Sequence, residues 1–334
     1  MPARMPPMRT FDFQHARDVD DALSIAAAGA TYFAGGTNLL DLMKLGVTEP
    51  VALVDIGRLG LDQITATDSG GIMIGAGVTN SAVANHRLVR TQYPVLSQAI
   101  LSGATTQLRN MATAGGNLMQ RTRCPYFMDV SFPACNKRRP GSGCGALEGS
   151  NREHALFGAS ASCVAVHPSD MAVALAILDA VVHVQAPTGP RSVALSEFFQ
   201  LPGDDPSRDN ALGAGDLIVG IELPTSEYAY HSWYLKVRDR HSYAFALVSV
   251  AAGLTIDDGI ITSAAIALGG VAAKPWRVSA AEAALIGRPA DTGTFSAAAE
   301  LAMSGAATLS QNEFKVDLGK HSVVRALHRA STRR

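Results

Sequence analysis

Charged and aromatic residues are scarce in this chain of 334 residues: 17% are charged, 6% are aromatic, and the formal net charge is -1. Because neither sign of charge is in excess, the composition excludes proteins that bind nucleic acid or acidic membranes through charge alone. Long hydrophobic runs are also missing, since the longest, residues 171–178, is far shorter than the roughly 18 residues of a membrane span. We therefore expect no nucleic-acid partner and no membrane span.

Several motifs of common protein classes are absent as well. The N-terminal residues MPARMPPMRTFDF hold Arg4 and Arg9 but no apolar stretch, so we expect no signal peptide in this chain. There is no GxGxxG motif of a Rossmann unit and no GxxxxGK(S/T) loop, which argues against an NTPase. No pair of residues stands out as nucleophile and base, and the nine histidines are scattered singly, so no catalytic residue is predicted.

The length of the chain predicts two or three domains. In the first part, Asp18 is a candidate N-cap for a helix over residues 19–28, and a strand, a glycine loop, a helix over residues 39–44 and a second strand follow. In the last third, two strands around an Asp257-Asp258-Gly259 turn and alanine-rich helices predict an antiparallel sheet backed by helices. This last pattern is typical of an α+β domain.

Two glycine-rich segments lie between predicted elements. Residues 34–38, AGGTN, follow a predicted strand and precede a helix, where backbone N–H groups can converge on a phosphate because glycine lets the chain approach closely. Residues 112–118, ATAGGNL, could supply further N–H groups. A glycine pair taken alone is more often just a tight turn, so the residues themselves leave both interpretations open.

The chain has only four cysteines, and all of them lie within residues 124–163. Four are too few for a disulfide scaffold in so long a chain, and their clustering favours a shared ligand. The gaps between them are 10, 8 and 18 residues, without the close CxxC pairs typical of structural zinc. An iron–sulfur cubane is wider than a single ion and accepts four separate thiolates, and nearby basic residues would stabilise its charge. Spacing alone leaves iron–sulfur, zinc, a disulfide pair and unrelated buried thiols open.

Five segments together resemble a known family: AGGTNLLDLMK, ATAGGNL, RCPYF, CNKRRPGSGC and HPSDMAVAL. They are similar to the FAD-binding medium subunits of the xanthine dehydrogenase and carbon monoxide dehydrogenase group of molybdenum hydroxylases. The last three segments look most like the flavin subunit of the bacterial periplasmic aldehyde oxidoreductases of three subunits. The resemblance extends over KVRDRHSYAFALVSVAA and ALGGVAAKPWR near the C-terminus, and so covers nearly the whole chain.

This resemblance implies an α+β fold in three parts. Residues 1–60 and 61–225 would form two α/β subdomains of an FAD-binding fold of the vanillyl-alcohol oxidase type. An iron–sulfur insertion would occupy about residues 119–165 of the second subdomain. Residues 226–334 would form the C-terminal α+β domain of the flavoprotein family, an antiparallel sheet with helices.

The same resemblance assigns roles to individual residues. Asp170 matches an aspartate that contacts the ribityl or isoalloxazine part of the flavin, and Lys236 matches a lysine near the flavin ring. The alternatives are a helix cap for Asp170 and a surface strand residue for Lys236. Two loops with their flanking residues match FAD-binding positions: Tyr32, Phe33, Ala34, Gly35, Gly36, Thr37, Asn38, Thr113, Ala114, Gly115, Gly116 and Asn117. The cysteines match the ligands of a [4Fe–4S] cluster: Cys124, Cys135, Cys144 and Cys163.

For function, the resemblance implies an electron-transfer subunit. A large partner subunit would oxidise an aldehyde at a molybdenum cofactor, a small partner would carry two [2Fe–2S] clusters, and this chain would pass the electrons through FAD to an external acceptor. The protein would reach the periplasm with a partner that carries a twin-arginine signal, since the pair Arg138-Arg139 is internal and is no such signal; the alternative is the cytoplasm. Two other functions stay open, a free-standing FAD oxidase and a zinc-stabilised binding module.

Overall fold

In the computed structural model, which describes residues 8–333, the chain forms three β-sheets with helices between and around them. Residues 1–7, and with them Arg4 of the segment expected to lack a signal peptide, lie outside the described residues. The three sheets follow one another along the chain, so each forms a layer with the helices of its own stretch of sequence.

The first layer has a parallel sheet of three strands. Its elements are β1 Asp12–His15, α1 Val19–Ala27, β2 Thr31–Phe33, α2 Leu39–Lys44 and β3 Ala52–Asp55. The strands lie in the order β1-β3-β2. The side chain of Asp18 accepts a hydrogen bond from the N–H of Asp21, so it begins α1 as the sequence predicts.

The second layer has an antiparallel sheet of five strands. The strands are β4 Ile64–Ala66, β5 Ile72–Gly75, β6 Val181–Ala186, β7 Gly189–Ala194 and β8 Leu217–Leu223, in the order β4-β5-β8-β6-β7. The helices are α3 Asn80–Asn85, α4 Arg87–Gln92, α5 Pro94–Ser102, α6 Thr106–Met111, α7 Ala114–Leu118, α8 Pro125–Met128, α9 Asp170–Ile177 and α10 Leu195–Phe198. Between α7 and α9 the chain consists mostly of turns, and this stretch contains all four cysteines.

The third layer has an antiparallel sheet of four strands, β9 Ser232–Val237, β10 Val248–Asp257, β11 Ile260–Gly269 and β12 Trp276–Arg277, in the order β12-β11-β10-β9. The helices α11 Ser279–Leu285, α12 Thr292–Ala302 and α13 Phe314–Ser331 follow. The β10–β11 turn places Asp258 at φ 46° and Gly259 at φ 80°, as a tight hairpin requires. The predicted α+β class is confirmed; the domain bounds 1–60, 61–225 and 226–334 remain predictions.

Shared hydrophobic cores join these layers. One core combines the second sheet and its helices with Tyr234 and Ala251 of the third sheet. Another combines the third sheet and its helices with Leu156 and Phe157, which lie between Cys144 and Cys163. The stretch that carries the cysteines is therefore packed against the C-terminal layer. No helix within residues 8–333 is long and apolar enough to cross a membrane.

Candidate functional site

A large cavity of about 630 Å³ is lined by residues of all three layers. Its volume is typical of a site for a small molecule or cofactor. The structure brings both glycine segments to this cavity together with residues from α9 and β9. The predicted FAD-binding residues that line it are Thr37, Asn38, Gly116, Asn117, Asp170 and Lys236. The other predicted positions flank these residues without lining the cavity: Tyr32, Phe33, Ala34, Gly35, Gly36, Thr113, Ala114 and Gly115.

The first glycine segment packs against the backbone that leads into the second. A Cβ atom on Gly35 would lie 1.8 Å from the carbonyl oxygen of Met111, so only glycine allows this approach. Gly36 has φ 69°, in the left-handed region. The side-chain oxygen of Asn38 accepts a hydrogen bond from the N–H of Arg121 at 2.9 Å, just beyond the second segment. The two segments therefore form one continuous wall of the large cavity.

The second glycine segment forms the short helix α7 rather than a tight turn. Thr113 begins it, because its hydroxyl accepts a hydrogen bond from the N–H of Gly116 at 3.2 Å. At the other end, the hydroxyl of Ser169 donates to the side-chain oxygen of Asn117 at 2.6 Å. Asn117 is thereby joined to the residue that caps α9.

Two amide groups in the cavity wall are buried without a partner. Among residues 8–333, neither the Nδ2 atom of Asn38 nor the Oδ1 atom of Asn80 has a hydrogen-bond partner, although both are shielded from solvent. An unsatisfied buried polar group costs about 1–3 kcal/mol. A polar ligand that offers one acceptor and one donor at these positions would remove that cost, and the phosphate, ribityl and ring groups of FAD include both.

Asp170 and Lys236 form a buried ion pair in the same wall. The Nζ atom of Lys236 lies 2.7 Å from Oδ2 of Asp170, and their side chains are 4% and 8% exposed. Lys236 is therefore not a surface residue, which was the alternative to a flavin role. The cap of α9 is Ser169, whose hydroxyl accepts from the N–H of Ala172 at 3.0 Å, so capping does not account for the Asp170 carboxylate.

Tyr234 completes this group. Its hydroxyl donates to Oδ1 of Asp170 at 2.6 Å. Burial and the neighbouring carboxylate raise the pKa of Tyr234 well above its usual value, so the phenol stays neutral and keeps donating. Each oxygen of Asp170 is thus held by one donor from β9, and the carboxylate is fixed at the cavity surface.

The four cysteines line one small cavity, the cysteine cavity. They all lie in the described part of the chain, and each is a free thiol, so no disulfide pairs them. Cys135 and Cys144 face each other across a short antiparallel bridge, and Cys163 takes part in a second such bridge with Ser160. The loop therefore brings together thiols that are up to 39 positions apart in the sequence.

The donor set of this cavity consists of thiols, and soft thiolates are ligands of both zinc and iron–sulfur clusters. Among residues 8–333, no three His, Cys, Asp or Glu side chains converge closely enough to hold one metal ion. Zinc needs its ligands within about 2.3 Å of one point, whereas a cubane spreads four thiolates apart. The N–H of Ala165 lies 3.5 Å from the sulfur of Cys163, and the N–H groups of Tyr126 and Phe127 face that of Cys124. Such N–H donors stabilise thiolates bound to iron.

Burial acts in the opposite direction, because it favours the neutral thiol over the thiolate. It raises the pKa of Cys124 to about 12 and also raises that of Cys163. A buried thiol gives up its proton when a cation binds it, because the metal charge replaces the missing solvation. The cysteine cavity therefore fits a metal cluster as resident group, with Cys124, Cys135, Cys144 and Cys163 as the residues that would hold it.

Two basic residues of the cysteine loop, Lys137 and Arg138, make hydrogen bonds within the protein. The Nζ atom of Lys137 lies 2.7 Å from the carbonyl oxygen of Pro206 and 2.5 Å from Oδ1 of Asp209. The guanidinium of Arg138 donates to the carbonyl oxygens of Tyr126 and Phe127 at 2.7 and 2.9 Å. Lys137 and Arg138 therefore hold the loop from both sides, whereas Arg139 is exposed.

A connecting cavity of about 210 Å³ lies between these two sites. It shares Arg123, Asp170 and Phe245 with the large cavity and shares Cys124 and His154 with the cysteine cavity. The Nε2 atom of His154 is 3.2 Å from the sulfur of Cys124. The connecting cavity therefore borders both the large cavity and the cysteine cavity.

Sequence reasoning missed several residues of these sites, among them Asn80, His154 and Tyr234. For Tyr234 a signal was present, because residues two apart in a strand face the same side and Lys236 was already a candidate. For His154 there was none, since its contact with Cys124 spans 30 positions without a recurring spacing.

Comparison with protein families identifies the architecture. Residues 9–226 match the family described as the FAD binding domain in molybdopterin dehydrogenase. The chain belongs to this family. Residues 233–330 match a second family, the CO dehydrogenase flavoprotein C-terminal domain, so the two family matches divide the chain between the second and third sheets. The family resemblance expected from the sequence is confirmed, and with it FAD as the cofactor.

The similarity to known relatives extends over nearly the whole length of this flavoprotein. It is 50% identical to the aldehyde oxidoreductase FAD-binding subunit PaoB of Escherichia coli K12, over 97% of this chain and 99% of that one. It is 25% identical to the carbon monoxide dehydrogenase medium chain of Afipia carboxidovorans, over 97% and 98%.

Solved structures share the fold. The CO dehydrogenase of Oligotropha carboxidovorans superposes with a TM-score of 0.77 at 24% identity, over 98% of this chain and 99% of that one. The quinoline 2-oxidoreductase of Pseudomonas putida 86 gives 0.75 at 24% identity, over 98% of each chain. The chain is thus the flavin subunit of a molybdenum hydroxylase, and its predicted fold is confirmed. Which residues contact the FAD stays a prediction.

Proposed function

We propose that this chain is the FAD- and [4Fe–4S]-carrying electron-transfer subunit of a heterotrimeric, molybdenum-dependent aldehyde oxidoreductase. The observation that carries the proposal is the 50% identity, from end to end, with a subunit named for FAD binding in an aldehyde oxidoreductase. We assign oxidation of the aldehyde to a partner subunit, as the relationship to the molybdenum hydroxylases implies. We place no catalytic residue in it.

The partners follow from the same relationship. The carbon monoxide dehydrogenase relative is called a medium chain, a name that goes with a larger and a smaller subunit. We assign the molybdenum cofactor to the large partner and two [2Fe–2S] clusters to the small one. Bound FAD can accept electrons one at a time and release them as a pair, so it links one-electron carriers to an external acceptor. This chain binds and orients the flavin at the end of that series.

For the iron–sulfur part, the support is the cysteine cavity itself. Four free thiols line one cavity, backbone N–H groups face two of the sulfur atoms, and no single-ion site forms among residues 8–333. Such cysteines bind iron as thiolates, and the surrounding N–H groups stabilise the negative charge of the cluster. Zinc would require a tighter arrangement of the same residues.

Absorption spectra with metal analysis test the proposal. The complex purified without oxygen should show flavin bands, broad iron–sulfur absorption and about four more iron atoms per complex than two [2Fe–2S] clusters account for. Replacing Cys144→Ala should remove that extra iron and leave the flavin bands. Ser150→Ala, an exposed change in the same loop, should alter neither.

Other results would favour the other functions. Zinc in place of the extra iron would contradict the cluster, and a colourless protein would contradict the flavin as well. Aldehyde turnover by this chain without its partners would indicate a free-standing oxidase. Location in the periplasm is part of the proposal: deleting the twin-arginine signal of a partner should leave this chain in the cytoplasmic fraction.

A further inference from the structure

His154 lies outside the four-cysteine pattern but belongs to the wall of their cavity. Its ring is buried, with 4% of the residue exposed, and its Nε2 atom is 3.2 Å from the sulfur of Cys124. The same side chain also lines the connecting cavity on the side of the large cavity. The structure thus shows a direct contact between this histidine and a cysteine sulfur.

The polar contacts of the ring indicate which nitrogen carries the proton. The Nδ1 atom is buried and has no hydrogen-bond partner among residues 8–333. A cysteine bound to a cluster is a thiolate, which only accepts hydrogen bonds. The neutral imidazole with its proton on Nε2 is therefore the form that suits this contact, and Nε2–H donates to the sulfur of Cys124.

The backbone of His154 is held by the C-terminal layer. The Nζ atom of Lys315, a residue with no exposed surface, donates to the carbonyl oxygens of His154 at 2.8 Å and of Gly270 at 2.6 Å. The Nδ2 atom of the equally buried Asn312 donates to the His154 carbonyl at 3.3 Å and to that of Ala155 at 3.2 Å. Two donors thus fix the backbone carbonyl of His154.

We infer that His154 is a positioning residue of the cluster: its Nε2–H group donates to the sulfur of Cys124 and raises the reduction potential of the [4Fe–4S] cluster. The inference rests on the proposed cluster. A hydrogen bond to a ligand sulfur stabilises the reduced state more than the oxidised one, since the reduced cluster carries one more negative charge. Lys315 and Asn312 hold the backbone of His154 from the C-terminal layer.

A redox titration of the purified complex, followed by electron paramagnetic resonance, tests this role. His154→Leu removes the donor and should shift the potential of the [4Fe–4S] signal to a more negative value. His154→Gln keeps an N–H donor and should stay close to the wild type. His183→Gln changes a histidine of β6 that pairs with Glu222 and should leave the potential unchanged. The [2Fe–2S] signals of the small partner serve as an internal reference.

The outcomes separate the two proposals. If the wild-type complex lacks the [4Fe–4S] signal, the proposed cluster is wrong. If the signal is present and His154→Leu leaves its potential unchanged, the cluster stands and the role of His154 is wrong. Should the leucine variant lose the cluster, retention in the glutamine variant supports the need for a donor. Loss in both variants would mean that the ring serves only for packing, and would overturn the inference.

Discussion

At the scale of single residues, the buried ion pair of Lys236 and Asp170 should be sensitive to mutation. The two groups meet at 2.7 Å inside the wall of the large cavity, where little water is available to solvate a lone charge. Removing one partner of a buried pair leaves the other uncompensated, which is worse than removing both. Tyr234 would remain the only side chain that donates to the carboxylate.

The substitution Lys236→Met should therefore lower the free energy of unfolding by about 3–5 kcal/mol and reduce the FAD bound after purification. Urea unfolding and the ratio of flavin to protein absorbance measure the two effects. The matched control is Lys320→Met, whose partner Glu300 is 66% exposed; it should change neither quantity. Equal effects of the two substitutions would contradict the importance of the buried pair.

At the scale of elements, the contact between the two glycine segments decides the shape of the cavity wall. Replacing Gly35→Ala would place a methyl group 1.8 Å from the carbonyl oxygen of Met111, so the segments must move apart. We expect a loss of about 1–3 kcal/mol in the free energy of unfolding, as in other overpacked sites, and weaker FAD retention. Thermal unfolding and flavin release on gel filtration measure these effects.

A second glycine provides the control for this prediction. A Cβ atom on Gly293, in α12, would lie 3.5 Å from a carboxylate oxygen of Asp291, an ordinary contact distance. Gly293→Ala should therefore be tolerated and even stabilise the helix by about 0.5–1 kcal/mol. If Gly35→Ala is tolerated equally well, the two segments do not make this close contact.

The elements also show what the sequence can predict. The helix over residues 39–44 was predicted with its observed bounds, because a buried face gives it a hydrophobic pattern. β1 was missed because all four of its residues are exposed, so it has no such pattern. A shared site for the four cysteines was predicted from their number and their grouping in the sequence. The contacts of His154 and Tyr234, in contrast, depend on how distant segments pack.

At the scale of the whole molecule, the buried His167 makes folding sensitive to acid. Burial lowers the pKa of His167 to about 4, below its usual value near 6.5. Its Nδ1 atom faces the N–H of Ser169 at 3.4 Å and accepts from it, which a protonated ring could not do. Between these two pKa values the unfolded chain binds a proton that the folded chain does not, so stability falls as the pH falls.

Because of His167, the free energy of unfolding should fall by roughly 2 kcal/mol between pH 7 and pH 5. Urea unfolding of the wild type and of His167→Gln at both values measures it. The variant is expected to be less stable at pH 7, and its deficit should shrink toward pH 5 because the acid penalty is absent. A deficit that stays constant with pH would show that His167 does not cause the acid sensitivity.

The C-terminal layer holds the cysteine loop through residues that are synthesised after it. Cys124 leaves the ribosome almost 200 positions before Asn312 and Lys315, which fix the carbonyl of His154. At about 5–20 residues per second, the loop waits roughly 10–40 s for these contacts. The loop therefore closes only after the C-terminal layer has been synthesised. Any cluster that needs the closed loop is inserted after that point.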